Sequence, residues 1–193
     1  IFILPISKYF VMLVNHILPD DEGKESCGAI YLDKKLLETP IVASGQVIKE
    51  TIRMANKAKN NLELAMEVFL NWNEEKMKKV YANESIINTL ERDITEYLIE
   101  LSQHNLPEEN AKLVSQAYHT INDIERIGDH AENIVELAIQ KYENNITLSY
   151  DGYKEVRQLF EVTLRSITIA IESFKSNEIS DDEVEKVEEE IDS

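Results

Sequence analysis

Residues 122–134 read "NDIERIGDHAENI". Four acids, an arginine and a histidine share thirteen positions with apolar residues that recur every three or four. That spacing is the period of an α-helix with one buried face. Extended in both directions the same seam runs through Leu113, Ala117, Ile121, Ile124, Gly128, Ala131, Val135 and Ala138. A glycine inside such a helix costs about 1 kcal/mol relative to alanine, so Gly128 predicts a close approach by a neighbouring helix.

Neighbours are easy to find. Pro40 suits a first helical position, and Ile48, Ile52, Ala55, Leu62, Ala65, Met66 and Phe69 continue a helix to about Trp72. A second stripe follows at Ile87, Leu90, Ile94, Tyr97 and Leu101, and "HNLPEEN" (104–110) breaks it. After the seam helix, "YENNITLSYDG" (142–152) reads as a loop, residues 153–175 as a fourth helix, and Asp181 as the start of a fifth. Long helices with short connections make antiparallel neighbours, so the expected fold is an all-α antiparallel bundle. Residues 87–95 and 184–192 also echo each other: Ile87, Leu90 and Ile94 match Val184, Val187 and Ile191. A structural repeat with a shortened second copy explains the echo.

Composition agrees. The 193 residues are 43 % apolar and 30 % charged, and only 5 glycines and 4 prolines are available for turns. The formal charge of −17 argues against a nucleic-acid partner, because phosphate contacts need clustered Lys and Arg. Cys27 is the only cysteine, which excludes an intrachain disulfide and suits a reducing compartment. Residues 1–18 form the one strongly apolar run, near the lower limit for spanning a bilayer core of about 30 Å. It is interrupted by Pro5, Lys8, Asn15 and His16 and lacks the cleavage site of a signal peptide, which leaves the tail of a membrane-spanning helix, an interfacial amphipathic helix or a docked core helix. Residues 19–39, with "PDDEGKESCG", read as a linker. The chain starts with Ile and stops inside a helical pattern, so it is expected to be part of a longer protein.

The acids of the seam helix are not scattered. One residue along from the apolar line lie Tyr118, Asn122, Glu125, Asp129, Glu132 and Glu136. Like charges at this spacing repel by a few tenths of a kcal/mol per pair unless something compensates. The corresponding line carries Glu84, Asn88 and Glu91 on the second helix, and Glu185, Glu188 and Asp192 on the fifth. Carboxylates from adjacent helices are how bundles hold hard cations, and Glu125/Asp129 and Glu188/Asp192 are one-turn pairs able to share one. The alternative is that these acids are the solvated flank of a core stripe. Arg126 lies three residues from Asp123 and suits an ion pair with it. There is no Glu-x-x-His pair, no zinc-type histidine spacing, no glycine-rich phosphate loop and no nucleophile elbow, so the chain is not expected to be an enzyme.

With these residues in view, "NDIERIGDHAENI" resembles the PhoU family, whose helices carry a motif of the form D-L-E-R-I-G-D. Asp123, Glu125, Arg126, Ile127, Gly128 and Asp129 match it, with Ile124 in place of leucine. "NTLERDI" (88–94) resembles the helix that precedes the motif. The apolar lead and acidic linker resemble the join between the last transmembrane helix of bacterial sodium/phosphate cotransporters and a cytoplasmic PhoU-like domain. The resemblance implies a membrane-proximal helix at 1–18, a linker at 19–39, a first PhoU-like repeat at 40–145 and a shortened second repeat at 146–193. It implies regulation of a sodium-dependent phosphate transporter in the plasma membrane, with this domain on the cytoplasmic side. Its partners would be the transmembrane part of the same protein and a second copy in a homodimer, with sodium and phosphate as the transported ions. It also implies metal sites holding Mn, Mg or Fe, with Glu91, Glu125, Asp129, Glu188 and Asp192 as ligands. Thr95 stands where a partner acid for Glu91 would be expected. A free-standing PhoU-type regulator and a metal-free helical scaffold are the alternatives.

Overall fold

The computed structural model describes residues 27–176. Four long α-helices make up almost all of it: α1 (Pro40–Leu70), α2 (Glu74–Ser102), α3 (Glu108–Glu143) and α4 (Tyr150–Ser176). A short 3-10 turn, Lys34–Glu38, precedes α1. Among the described residues there is no strand and no helix long and apolar enough to cross a membrane. The apolar run 1–18, Glu188, Asp192 and the expected fifth helix lie outside the described residues.

Local chemistry sets the helix ends. Pro40 occupies the first turn of α1, where its missing N–H costs nothing. Asn73 caps α2 by accepting from Lys76 N at 2.9 Å, and Glu74 and Glu75 follow where the helix dipole favours acids. Asn145 closes α3 at φ 53°, a left-handed conformation that asparagine tolerates, and Ile146 N donates to Lys141 O at 2.9 Å. The helix α4 begins at Tyr150, three residues before the sequence pattern suggested, with Gly152 N donating to Ser149 Oγ at 3.0 Å.

The helix α1 is the hub, packing against α2, α3 and α4. The seam of α3 is buried as its spacing predicts, with Ala117, Ala131 and Val135 at 0 % exposure. So is the α2 stripe of Ile87, Leu90, Ile94, Tyr97 and Leu101. On α1 Ala55, Leu62, Ala65 and Met66 are buried as expected, but in the first half of the helix the phase is different. The buried line is Ala43, Val47, Met54, Ala58, Leu62 and Ala65, while Ile48 and Ile52 are only half-buried. Eight of the thirteen buried residues of α1 are alanine or polar, and such residues carry little hydrophobic signal. Asn61 and Asn83 are buried as a satisfied pair, Asn83 Nδ2 donating to Asn61 Oδ1 at 3.0 Å and Asn61 Nδ2 to Val80 O at 3.1 Å. Leu62, Met66, Val80 and Val135 form a second cluster toward the turn between α1 and α2, and Phe160 and Leu164 of α4 pack onto it.

Candidate functional site

Where α2 and α3 run side by side, the sequence brings two acidic lines together. Glu125, Asp129, Glu132 and Glu136 line α3, and Glu84 and Glu91 line α2. Glu125 and Glu132 are half-buried, while Asp129 and Glu136 are exposed. Glu91 is half-buried and takes a long contact of 3.4 Å from Thr95 Oγ1, the residue that stands in the place of an expected acid.

Glu84 dominates the seam. It is 2 % exposed, and neither carboxylate oxygen has a hydrogen-bond partner. Burial pushes its pKa up from 4.5 to about 7, with Glu132, Asp129 and Glu125 adding repulsion in that order. Its place is made by Gly128. A Cβ there would collide with the Glu84 carboxylate, with Glu84 Cδ at only 3.0 Å. The glycine admits a carboxylate rather than a helix backbone, which refines the close approach that the sequence predicts.

The other acids respond to the same crowding. Burial raises Glu125, reinforced by Asp129 and Glu91 and partly offset by Arg126. Glu132 is raised by burial and then by Asp129 and Glu136. Burial also raises the Tyr81 phenol, and Glu132 and Glu136 add to the shift. Glu125 thus feels Asp129 and Glu91, and Glu84 feels Glu132, Asp129 and Glu125.

Among the described residues no three acidic, histidine or cysteine side chains converge closely enough to grip an ion as they stand. Yet the donor chemistry fits a hard cation. Every candidate group is a carboxylate, and the one most withdrawn from water has both oxygens unpaired. The importance of Glu84 was half visible in the sequence. Continuing the stripe of Ile87, Leu90 and Ile94 back by one turn lands on Asn83 and Glu84, so an acid stood at a core position.

The PhoU domain matches residues 51–138, which include most of α1, all of α2 and most of α3, and hence both sides of the seam. "Putative inorganic phosphate export protein YjbB" of Escherichia coli (strain K12) is 24 % identical over 151 residues, covering 78 % of this chain and 28 % of that protein. "Phosphate-specific transport system accessory protein PhoU homolog" of Aquifex aeolicus (strain VF5) is 32 % identical over 92 residues, covering 47 % of this chain and 42 % of that protein. The chain therefore spans less than half the length of either relative. No solved structure matches it. The stretch that matches the PhoU domain thus contains both sides of the acidic seam, and the chain is similar there to these two proteins.

Proposed function

We propose that this chain is the regulatory part of a sodium-coupled phosphate transporter of the plasma membrane, held on the cytoplasmic side by the apolar segment 1–18. The supporting observation is the extent of the similarity to the export protein. It covers 151 residues, well beyond the 88 of the PhoU match (51 to 138 inclusive), so it includes sequence outside that domain. The charge of −17 fits a domain whose partners are protein and cations rather than nucleic acid. The word "accessory" in the name of the Aquifex aeolicus relative supports control of flux rather than catalysis.

Within this reading the seam holds a divalent or trivalent cation such as Mn, Mg or Fe, with Glu84, Glu91, Glu125 and Asp129 as the described ligands. Glu188 and Asp192 would serve a second site. A bound cation would neutralise carboxylates that otherwise repel, tying α2 to α3. A cation that binds only the folded chain stabilises it by about 2.7 kcal/mol at a hundredfold excess over Kd. The check is a melting curve with each metal against sodium chloride of equal ionic strength, on wild type and on Glu84→Gln/Glu125→Gln/Asp129→Asn. Equal responses in both proteins would make the seam a solvated flank and leave a metal-free scaffold.

The transport role is tested in cells carrying the full gene. Removing residues 40–193 should leave phosphate flux intact and abolish its dependence on phosphate supply; an unchanged dependence overturns the reading. A second reading, a free-standing regulator of phosphate uptake, is favoured by the higher identity to the accessory protein. It predicts that the gene encodes no membrane-spanning segments.

A further inference from the structure

Residues 19–39 read as a linker in sequence, yet the part that the structure describes is bound firmly to the bundle. Ile30 N and Tyr31 N both donate to Glu50 Oε2, at 3.0 and 2.7 Å. Glu50 is fully buried on α1, and its other oxygen accepts from Arg53 Nε at 2.5 Å. Arg53 in turn donates to Gly28 O at 2.8 Å, so the glutamate and the arginine hold the segment from both its donor and acceptor sides. The helix α2 adds further contacts. Ala29 N donates to Asp93 Oδ2 at 3.1 Å, and the Tyr97 hydroxyl donates to Asp33 O at 3.0 Å.

A loose tether has no use for a buried carboxylate. Taking Glu50 out of water is unfavourable and is offset only while its hydrogen bonds are made. Two of its three donors are backbone amides of the segment itself, so lifting the segment away leaves the charge under-satisfied inside the α1–α2 groove. Docking of the segment and packing of α1 on α2 are therefore one cooperative event.

We infer that residues 28–38 form a docked strap that transmits displacements of the apolar segment 1–18 to α1 and α2. Nine residues lie between Leu18 and Gly28, ten steps with a reach of at most about 35 Å, so larger displacements must load the Glu50 and Asp93 contacts. The part of this inference that concerns transport rests on the function proposed above; the docking itself does not.

The experiment combines amide hydrogen exchange with flux measurements on the full-length protein. In wild type the Ile30 and Tyr31 amides should exchange about a hundredfold slower than unprotected amides. In Asp93→Ala/Tyr97→Phe they should exchange about tenfold faster, while the Leu90 amide is unchanged and phosphate flux loses its response to supply. A second variant guards against misfolding. A Cβ at Gly28 would lie 3.0 Å from Asp93 Oδ2, so the two positions face each other and Gly28→Cys/Asp93→Cys in a Cys27→Ser background is the pair to close by oxidation, closure being verified by loss of free thiols. The oxidised form should keep the response and the reduced form should lose it. Strap amides that exchange freely in wild type overturn the docking. A strap loosened without loss of response overturns the transmission. If removal of residues 40–193 leaves the response intact, the proposed function fails instead, and the exchange data still decide the docking.

Discussion

Glu50 on α1 and Glu84 on α2 are both withdrawn from water, at 0 % and 2 % exposure, and the fold treats them in opposite ways. Glu50 accepts hydrogen bonds from two backbone amides and an arginine. Glu84 accepts none, and its charged neighbours are other acids. Native interiors rarely leave buried polar groups unpaired, and a buried charge without a partner is costlier still. The first site is built to hold structure together. The second carries a cost that folding alone does not repay, and such groups cluster where a protein binds something. Among the described residues the other buried side-chain atom without a partner is Thr51 Oγ1, a neutral hydroxyl with far less at stake.

Removing the satisfied glutamate should have the largest effect. Glu50→Ala leaves Ile30 N, Tyr31 N and Arg53 without their acceptor, and breaking a buried pair from one side costs about 3–5 kcal/mol. Arg53 keeps 24 % of its side-chain surface in contact with solvent, which places the expectation at the lower end, about 3 kcal/mol. Denaturant unfolding measures this directly. A loss below about 1 kcal/mol would mean that the strap contributes little and would dissolve the contrast between the two glutamates.

Removing the unsatisfied glutamate should do the reverse, and only at the right pH. The folded-state pKa of Glu84 lies near 7 against an ordinary 4.5, so the folded chain keeps a proton that the unfolded chain has released. The stability tied to this group is complete below pH 4.5 and is lost as pH rises toward 7. At about 1.4 kcal/mol per unit the loss is at most about 3 kcal/mol. Glu125 and Glu132, also raised, slope the same way. In metal-free protein Glu84→Gln should match wild type near pH 4 and exceed it by about 2–3 kcal/mol near pH 8. Thermal midpoints taken across this range decide it; parallel curves for the two proteins would show that Glu84 reaches water or a partner.

The contrast also explains what the sequence could and could not reveal. The α3 seam and the α2 stripe were legible because isoleucine and leucine at helical spacing have one physical use. In the first half of α1 Ile48 and Ile52 pointed one position off the buried Val47 and Thr51, while Leu62 and Met66 further along fell on the buried face. The acids of α3 were legible as a line, and their pairing with Glu91 followed from the neighbouring helix. Which acid is buried did not follow, since period and charge are the same for a solvated flank and a sealed site. The strap was the least legible part. Its contacts are backbone amides meeting side chains as many as 64 positions away, and no local pattern encodes them.

Gly128 offers the smallest and most selective perturbation. On the surface of a helix a larger residue would improve helix propensity, by up to about 1 kcal/mol for alanine. Here any Cβ meets the Glu84 carboxylate, and leucine would also need room for the rest of its side chain. Gly128→Leu should therefore destabilise by about 1–3 kcal/mol through overpacking. The cause can be separated from generic crowding by repeating the substitution in a Glu84→Ala background. The space vacated by the glutamate should then accept much of the leucine, and the cost should fall by at least half, a coupling typical of side chains in contact. Equal costs in the two backgrounds would mean that Gly128 is needed for the approach of the helix backbones, as its place on the seam first suggested, and not to make room for a buried acid. Only the coupled result ties the glycine of the ERIGD stretch to the buried carboxylate that has no hydrogen-bond partner among the described residues.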